Sequence, residues 1–149
     1  TTTDLPDLTI SGFSAPTMAT AGQNLTLKVG VRNAKWYGAG ATAPPSKLKV
    51  TFAGLEDILD VPQLPVEVTA WISWSITIPT TASGSNIFYA TCDPNNQIAE
   101  SREDDNSGGT EIIISPTASD SALSSNLAGV LEALNNLLKT LRYLQQSLQ

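Results

Sequence analysis

Residues 71–106 read WISWSITIPTTASGSNIFYATCDPNNQIAESREDDN. Apolar residues occupy every second position from Ile72 to Ile78, and serine or threonine stands between them. This period of two predicts a strand with one buried face, which ends at Pro79 because proline donates no hydrogen bond to a sheet. The segment NIFYAT (86–91) predicts the returning strand of a β-hairpin, followed by a tight turn rich in Asp, Pro and Asn.

The same alternation recurs on both sides of this stretch. It predicts strands at 7–13, 24–32, 47–52, 66–78, 86–91 and 110–114, with an edge segment at 14–22. Residues 33–46 predict a long Gly/Ala/Pro loop, and residues 54–65 (GLEDILDVPQLP) predict an irregular connection that crosses between two sheets. About seven short strands at this spacing are typical of an immunoglobulin-like β-sandwich. We therefore expect a mainly β domain over residues 1–114.

Composition excludes several function classes. The net charge is −6, and the eight basic residues are scattered, which argues against nucleic acid and anionic membrane surfaces. The chain has no histidine and a single cysteine, so neither a Ser-His-Asp nor a Cys-His catalytic arrangement can form. An enzyme is therefore the least expected class. Cys92 ends a predicted strand, which favours a small buried residue over a reactive thiol. The sequence contains no run of about 20 apolar residues, so it predicts no membrane span.

A linker at 115–121 leads into a predicted amphipathic helix at 122–149. Leucine and valine recur at spacings of four and three, the heptad pattern of helices that wind around one another. The predicted oligomerisation residues are Leu123, Leu127, Val130, Leu131, Leu134, Leu137, Leu138, Leu141, Leu144 and Leu148. Two of them widen the apolar face beyond a two-stranded seam, which favours a homo-oligomer of three or more chains. The alternative is a helix that folds back onto its own sandwich.

An acidic segment follows the last quoted strand. It contains Asp93, Glu100, Glu103, Asp104 and Asp105, and calcium prefers oxygen ligands of this kind. The EF-hand pattern is absent, however, because Ile98 stands where that loop requires glycine. The pattern favours a solvated turn with local hydrogen bonds, with a calcium site as the alternative and no other metal or cofactor.

Three aromatic residues are candidates for contact with a ligand or another subunit: Trp36, Tyr37 and Trp71. Trp71 has the opposite parity to Trp74 and is expected to point away from the core. Exposed aromatic residues mark protein contacts, and they also stack on sugars, so subunit contact, packing under the loop and carbohydrate binding remain open. Asn24-Leu25-Thr26 is a glycosylation sequon, which has meaning only in a secreted protein.

The chain also resembles the CARDB family, which comprises immunoglobulin-like modules of bacterial and archaeal surface proteins. The resemblance rests on PDLTISGFSAPTMATAGQNLTLKVGVRN (6–33), SWSITIP (73–79) and the acidic, Asn-terminated NIFYATCDPNNQIAESREDDN (86–106). It covers about residues 6–114 and implies a seven-stranded sandwich used outside the cell for adhesion or as a spacer. The family implies no catalytic residues. The loop with Trp36 and Tyr37 departs from its pattern.

These observations favour an extracellular structural or adhesive subunit that self-assembles through its C-terminal helix, as a component of a fibre, surface layer or stalk. Its partners are expected to be copies of itself, with other surface proteins or glycans as further candidates. Two alternatives remain: a carbohydrate-binding module that uses the exposed aromatic residues, and an engineered fusion in which the helix imposes an oligomeric state.

Overall fold

The computed structural model describes residues 4–36 and 38–148, with the backbone alone at 120 and 121. Within these residues the chain forms eight strands and one helix. In chain order they are β1 (Leu8–Ser14), β2 (Met18–Thr20), β3 (Asn24–Asn33), β4 (Ser46–Phe52), β5 (Leu55–Val61), β6 (Thr69–Thr77), β7 (Gly84–Cys92), β8 (Ser107–Ser115) and α1 (Ala118–Ser147).

The strands form two sheets that enclose a single core. The order is β1-β3-β6 in the three-stranded sheet and β2-β8-β7-β4-β5 in the five-stranded sheet. Neighbouring strands are antiparallel except β2 and β8, which run parallel. The mainly β sandwich with one C-terminal helix is confirmed. The predicted number of strands is wrong, because the described residues contain eight rather than seven.

The strand that the sequence did not predict is β5, which lies within the segment expected to cross between sheets. Leu55–Val61 instead folds back on β4 in the same sheet, with Leu55 opposite Phe52. Ala53 and Gly54 connect the two strands with φ angles of 50° and 80°, as a two-residue type I′ hairpin turn requires. Asp57 is exposed and interrupts the apolar alternation of this edge strand, so the sequence of β5 lacks the regular period of a half-buried strand.

The predicted hairpin between the two strands of residues 71–106 is also wrong. β6 pairs with β3 in one sheet, whereas β7 pairs with β4 and β8 in the other. The chain crosses between the sheets after Ile78, whose buried N–H donates to the Gln23 carbonyl at 2.9 Å. Both strands therefore send alternate side chains into the same core from opposite sides, and the Trp74 and Phe88 rings stack with centroids 6.1 Å apart.

Phe88 lies at the centre of the aromatic part of the core. Its ring is fully buried and meets Phe13 edge to face at 5.2 Å and Phe52 at 6.4 Å, in addition to the stacked Trp74. Aromatic pairs in these arrangements contribute about 0.5–1.5 kcal/mol beyond the burial of their area. Cys92 is buried in the same core, as predicted.

The N-terminal part of the chain contributes to both sheets. β1 pairs with β3, and after a short connection β2 pairs with β8 in the opposite sheet. Flanking hydrogen bonds extend the β2–β8 pairing, from the Ala21 N–H to the Ser115 carbonyl at 2.9 Å and from the Ile113 N–H to the Thr17 carbonyl at 3.0 Å. This arrangement fixes the start of the sandwich against its last strand.

The chain divides into two compact units, one that ends at Ser115 and one that begins at Pro116. The second unit is α1, which begins at Ala118 and thus inside the segment predicted as a linker. Its apolar side chains remain exposed, from 48% at Leu138 to 62% at Leu127 and 87% at Leu148. Over the described residues, no helix combines the length and apolarity that crossing a membrane requires.

Candidate functional site

The loop from Asp93 to Asn106 joins β7 to β8 and contains the predicted acidic cluster. Asp93 itself supports the turn: it is buried, it has a φ of 39°, and its Oδ2 accepts the Ile98 N–H at 2.7 Å. Its backbone carbonyl accepts the Asn96 N–H at 2.8 Å. Asp93 therefore closes a tight turn with its backbone and holds the following residues of the loop with its side chain.

Glu100 connects this loop to the start of β1. One carboxylate oxygen accepts the Leu8 N–H, and the other accepts the Asn106 side-chain N–H at 2.9 Å. The pKa of Glu100 is raised from 4.5 to about 7, chiefly by burial and also by the nearby charges of Glu103 and Asp93, while its two hydrogen bonds act in the opposite direction. Glu103 in turn accepts the Glu100 N–H at 3.0 Å.

Asp7, which the sequence analysis did not identify as a site residue, is fully buried beside this loop. Its backbone N–H donates to the Asn33 side chain at 3.0 Å, and its Oδ1 accepts the Arg102 N–H at 3.1 Å. Its Oδ2 is buried without a hydrogen-bond partner. Burial raises the pKa of Asp7 above its usual range, and the charge of Asp105 raises it further, whereas hydrogen bonds from the Ser101 side chain and the Arg102 backbone lower it. A polar residue just before a strand gives no periodic signal of such a position.

Arg102 is the cation of this loop. Its guanidinium pairs with Asp104 at 3.0 Å and with Asp105 at 3.4 Å, and it lies 4.6 Å from the ring centroid of Trp36. The second oxygen of Asp105, Oδ1, is buried and has no hydrogen-bond partner, and the same is true of Oδ1 of Asn106. Arg102 therefore balances part of the acidic charge and leaves specific oxygen atoms unsatisfied.

The five predicted acidic residues thus have different roles. Asp93, Glu100 and Glu103 accept hydrogen bonds from the chain, whereas Asp104 and Asp105 pair with Arg102. Within residues 4–36 and 38–148, no three acidic or cysteine side chains converge closely enough to hold a metal ion. The calcium alternative, as a site made of these five carboxylates together, has no geometric support in this part of the chain.

A cleft of about 490 Å³ lies beside the acidic loop at one end of the three-stranded sheet. Arg32 pairs with Glu67 across part of it, and Trp36 and Asp105 contribute to its walls. The remaining lining residues are Thr9, Ile10, Ala34 and Lys35. The cleft therefore offers one aromatic ring among charged and hydroxyl groups.

Trp71 lies on the outer face of the same sheet, as its parity predicted. It is 54% exposed, and Cβ atoms at Gly12 and Gly30 would lie 3.7 and 3.3 Å from its ring. The contact at Gly30 would be tight, so the missing side chain there leaves room for the indole to pack closely against β3. Gly30 is opposite Trp71, and the next outward residue of β3 is Arg32, which lines the cleft. Tyr37, the third predicted aromatic residue, lies outside the described residues.

The remaining predicted sites lie elsewhere. Asn24, the sequon residue, begins β3, is exposed, and accepts the Thr77 hydroxyl at 2.7 Å. The ten predicted oligomerisation residues are all on α1 or directly after it, and all are exposed.

A family model described as CARDB matches residues 5–109. The crystal structure of the CARDB domain of a Pyrococcus furiosus protein, in complex with di-metal ions, is similar over 78% of this chain and 100% of that chain, with a TM-score of 0.65 and 22% identity. A solution NMR structure of that domain gives a TM-score of 0.61 at 22% identity, over 75% of this chain and 97% of its own.

A third solved structure is a domain from Methanosarcina acetivorans, in a protein whose name assigns it to the cell surface. It is 18% identical, with a TM-score of 0.61 over 76% of this chain and 95% of that chain. No curated protein matches the chain. At these identities the solved structures establish the fold of the sandwich. The similar regions span nearly all of each solved domain.

Proposed function

The chain belongs to the CARDB family, and we propose that it is a non-catalytic structural or adhesive subunit of a cell surface, located outside the cell and assembled through its C-terminal helix. The surface role is supported by the family match and by the relative from Methanosarcina acetivorans. The absence of histidine from the sequence supports a role without catalysis.

The exposed leucine face of α1 is the observation that carries the assembly part of this proposal. Nine of the ten apolar side chains are exposed along a helix of 30 residues, which extends about 45 Å, and the tenth, Leu148, follows the helix directly. Soluble monomers rarely expose a continuous apolar patch of this size. A single helix cannot bury its own stripe, so the stripe requires another surface.

The width of the stripe favours three or more helices. With Leu127 at position a of the heptad, Leu131 and Leu138 occupy position e, next to the a/d seam, and both are exposed. Two-stranded coiled coils commonly have charged residues at e and g, whereas α1 has Ala133 and Thr140 at g. A wide, uncharged face is better covered by two neighbouring helices than by one.

Light scattering after size-exclusion chromatography tests this proposal on the full chain and on a chain that ends at Ser115. We expect the full chain to be an oligomer and the shorter chain to be a monomer. A matched pair of double variants locates the contact. Leu134→Asn with Leu141→Asn changes the stripe, whereas Lys139→Asn with Gln146→Asn places the same residue at the same spacing on the opposite face.

The stripe variant should dissociate and the matched control should not. A monomeric full chain at micromolar concentration would overturn the assembly proposal. If the chain that ends at Ser115 also assembles, the subunit contact lies in the sandwich and not in the helix. Dissociation of the control variant to the same extent would show that helix propensity, rather than the leucine face, controls assembly.

A second candidate function is carbohydrate binding, which is favoured by the cleft beside Trp36. Trp36 and Trp71 are each about half exposed, and the charged groups and the Thr9 hydroxyl of the cleft offer hydrogen bonds to a sugar. Quenching of tryptophan fluorescence by soluble polysaccharides tests this candidate. Trp36→Phe and Trp71→Phe should each weaken the response, and no response to a panel of neutral and acidic polysaccharides would count against it.

A further inference from the structure

Three unsatisfied oxygen atoms lie at the end of the sandwich where β1 begins and β8 begins. In the described part of the chain, Asp7 Oδ2, Asp105 Oδ1 and Asn106 Oδ1 are all buried and have no hydrogen-bond partner. All three are acceptors, and Asp7 is buried completely. Buried polar atoms in native proteins nearly always have a partner, because leaving one without any is unfavourable. A group that supplies positive charge to all three would remove this penalty.

Hydrogen bonds and an ion pair link the three residues at this end of the sandwich. The Arg102 backbone donates to Asp7 while its guanidinium pairs with the other oxygen of Asp105. Asn106 follows Asp105 in the chain and is held by Glu100, which also binds the N–H of the residue after Asp7.

The local charge favours a cation. Asp7 and the five acidic residues of the loop supply six carboxyl groups against the single guanidinium of Arg102. In the adjoining cleft, Arg32 is paired with Glu67, and Lys35 is the further basic residue. Asp105 also lines the cleft, so one of the three residues borders it.

We propose that Asp7, Asp105 and Asn106 form a binding site for a hard divalent cation, with Ca²⁺ preferred. The three donors are two carboxylates and one amide carbonyl, the oxygen chemistry that calcium takes up in irregular geometry, with water completing its six to eight ligands. Mg²⁺ demands a nearly ideal octahedron and loses its water reluctantly. Three protein ligands fit the weak affinities of extracellular calcium modules, about 10⁻⁴–10⁻³ M.

This site differs from the five-residue cluster that the sequence suggested. Only Asp105 belongs to both. Asp7 comes from the beginning of the sandwich, nearly 100 positions before Asp105, and Asn106 adds a neutral carbonyl. A bound ion would therefore join the start of β1 to the loop that precedes β8.

Terbium luminescence and thermal unfolding of the full chain test the proposal in chelator-treated buffer. Trp36 lines the same cleft as Asp105, so excitation of tryptophan should sensitise Tb³⁺ bound at the site. We expect Ca²⁺ to displace Tb³⁺ and millimolar Ca²⁺ to raise the unfolding temperature by a few degrees. Asp105→Asn should weaken Ca²⁺ binding at least tenfold. Asp7→Asn, which retains an acceptor for the Arg102 N–H, should do the same.

Asp57→Asn is the matched control, because it removes one exposed carboxylate charge from β5, far along the chain from the site. Its Oδ1 accepts the N–H of Ile58 at 2.8 Å, and the asparagine carbonyl can keep that bond. We expect Asp57→Asn to bind Ca²⁺ within about twofold of the unchanged chain. Equal weakening by this control would show diffuse attraction and overturn the proposal.

Two further outcomes would overturn it. One is the absence of any Ca²⁺-dependent shift or sensitised emission up to 10 mM ion, about tenfold above the weakest affinity expected. The other is a shared proton between Asp7 and Asp105. In that case Asp105→Asn would stabilise the chain at neutral pH, and Ca²⁺ would not change the unfolding temperature of the unchanged chain.

Discussion

The sandwich and the helix use similar apolar residues in opposite ways. In the unit that ends at Ser115, alternate side chains from two sheets meet, and residues such as Leu27, Leu48 and Phe88 are fully buried. In the unit that begins at Pro116, the leucines of α1 are about half exposed. Two packed sheets of one chain enclose a core between them. One amphipathic helix has a single apolar face, which needs a second surface to be buried.

This difference indicates where each unit obtains its stability. The sandwich obtains its stability from contacts between residues that are far apart in its own sequence. An isolated helix with this content of Asn, Ser and Gly is only marginally stable in water, so under the proposed function we expect its stability to come from association. Substitutions should therefore act on the unfolding of the first unit and on the assembly of the second, with little transfer between them.

The largest effect is expected from Phe88→Ala in the sandwich. Removing a fully buried ring in contact with three other aromatic residues should lower the free energy of unfolding by about 3–5 kcal/mol. Urea denaturation followed by tryptophan fluorescence measures this. Ile87→Ala, the exposed neighbour on the same strand, is the control and should cost less than about 1 kcal/mol. A similar loss for both variants would contradict the proposed core.

The next largest effect is a dependence of the sandwich's stability on pH. The pKa of Glu100 is about 7 in the folded chain against an ordinary value of 4.5, so the folded state binds a proton that the unfolded state releases between these values. Stability should therefore fall as pH rises from about 4.5 to 7, by up to about 3 kcal/mol from this group. Below that window Glu100 is protonated in both states and contributes no such loss.

Urea denaturation at several pH values, in chelator-treated buffer, measures this dependence. Glu100→Gln should flatten it, since the Asn106 amide can turn to offer its carbonyl to the new N–H donor. Glu111→Gln, an exposed change on β8, should leave the dependence unaltered. A stability that rises across the window in the unchanged chain would contradict the buried, proton-binding state of Glu100.

Replacing a glycine by alanine should have opposite effects on stability in the two units. Gly54→Ala should destabilise the sandwich by about 1 kcal/mol, because φ is 80° at this hairpin turn and alanine is strained there. Gly129→Ala should stabilise the helix by about 0.5–1 kcal/mol, since glycine is the poorer helix former and open space surrounds its Cβ position. Urea denaturation reports the first change and helical circular dichroism the second. Effects of the same sign would contradict the comparison.

The smallest effect is expected when the helix is removed. If the two units are energetically independent, a chain that ends at Ser115 should unfold with a free energy within about 0.5 kcal/mol of the sandwich in the full chain. Urea denaturation followed by tryptophan fluorescence isolates the sandwich, because all three tryptophans precede Ser115. A loss of several kcal/mol would show that the leucine face packs on the sandwich of the same chain.

The sequence was a good guide to which residues are buried and a poor guide to which strands pair. Alternation around Trp74 predicted the inward face of β6 and the outward direction of Trp71 correctly. It could not reveal that β6 and β7 belong to different sheets, because a period of two reports one buried face and says nothing about the neighbouring strand. β5 was missed because Asp57 breaks its apolar alternation at the sheet edge.

The candidate cation site was less predictable than the fold. Local composition identified Asp105 because it lies in an acidic run. Asp7 gave no signal, since its burial depends on the Asn33 side chain and on a loop that comes nearly 100 positions later. Sites built from distant segments depend on the tertiary arrangement, and a single sequence without covariation carries no record of it.

The split of the first part of the chain between two sheets has a mechanical consequence. β2 runs parallel to β8 for three residues, and β8 is the last strand before the helix. Tension between the beginning of the sandwich and the helix would pull these strands in opposite directions along their length. Their hydrogen bonds, including those at 2.9 and 3.0 Å that flank the pairing, would then be sheared together instead of unzipping one by one. A subunit anchored at both ends would in this way resist stretching.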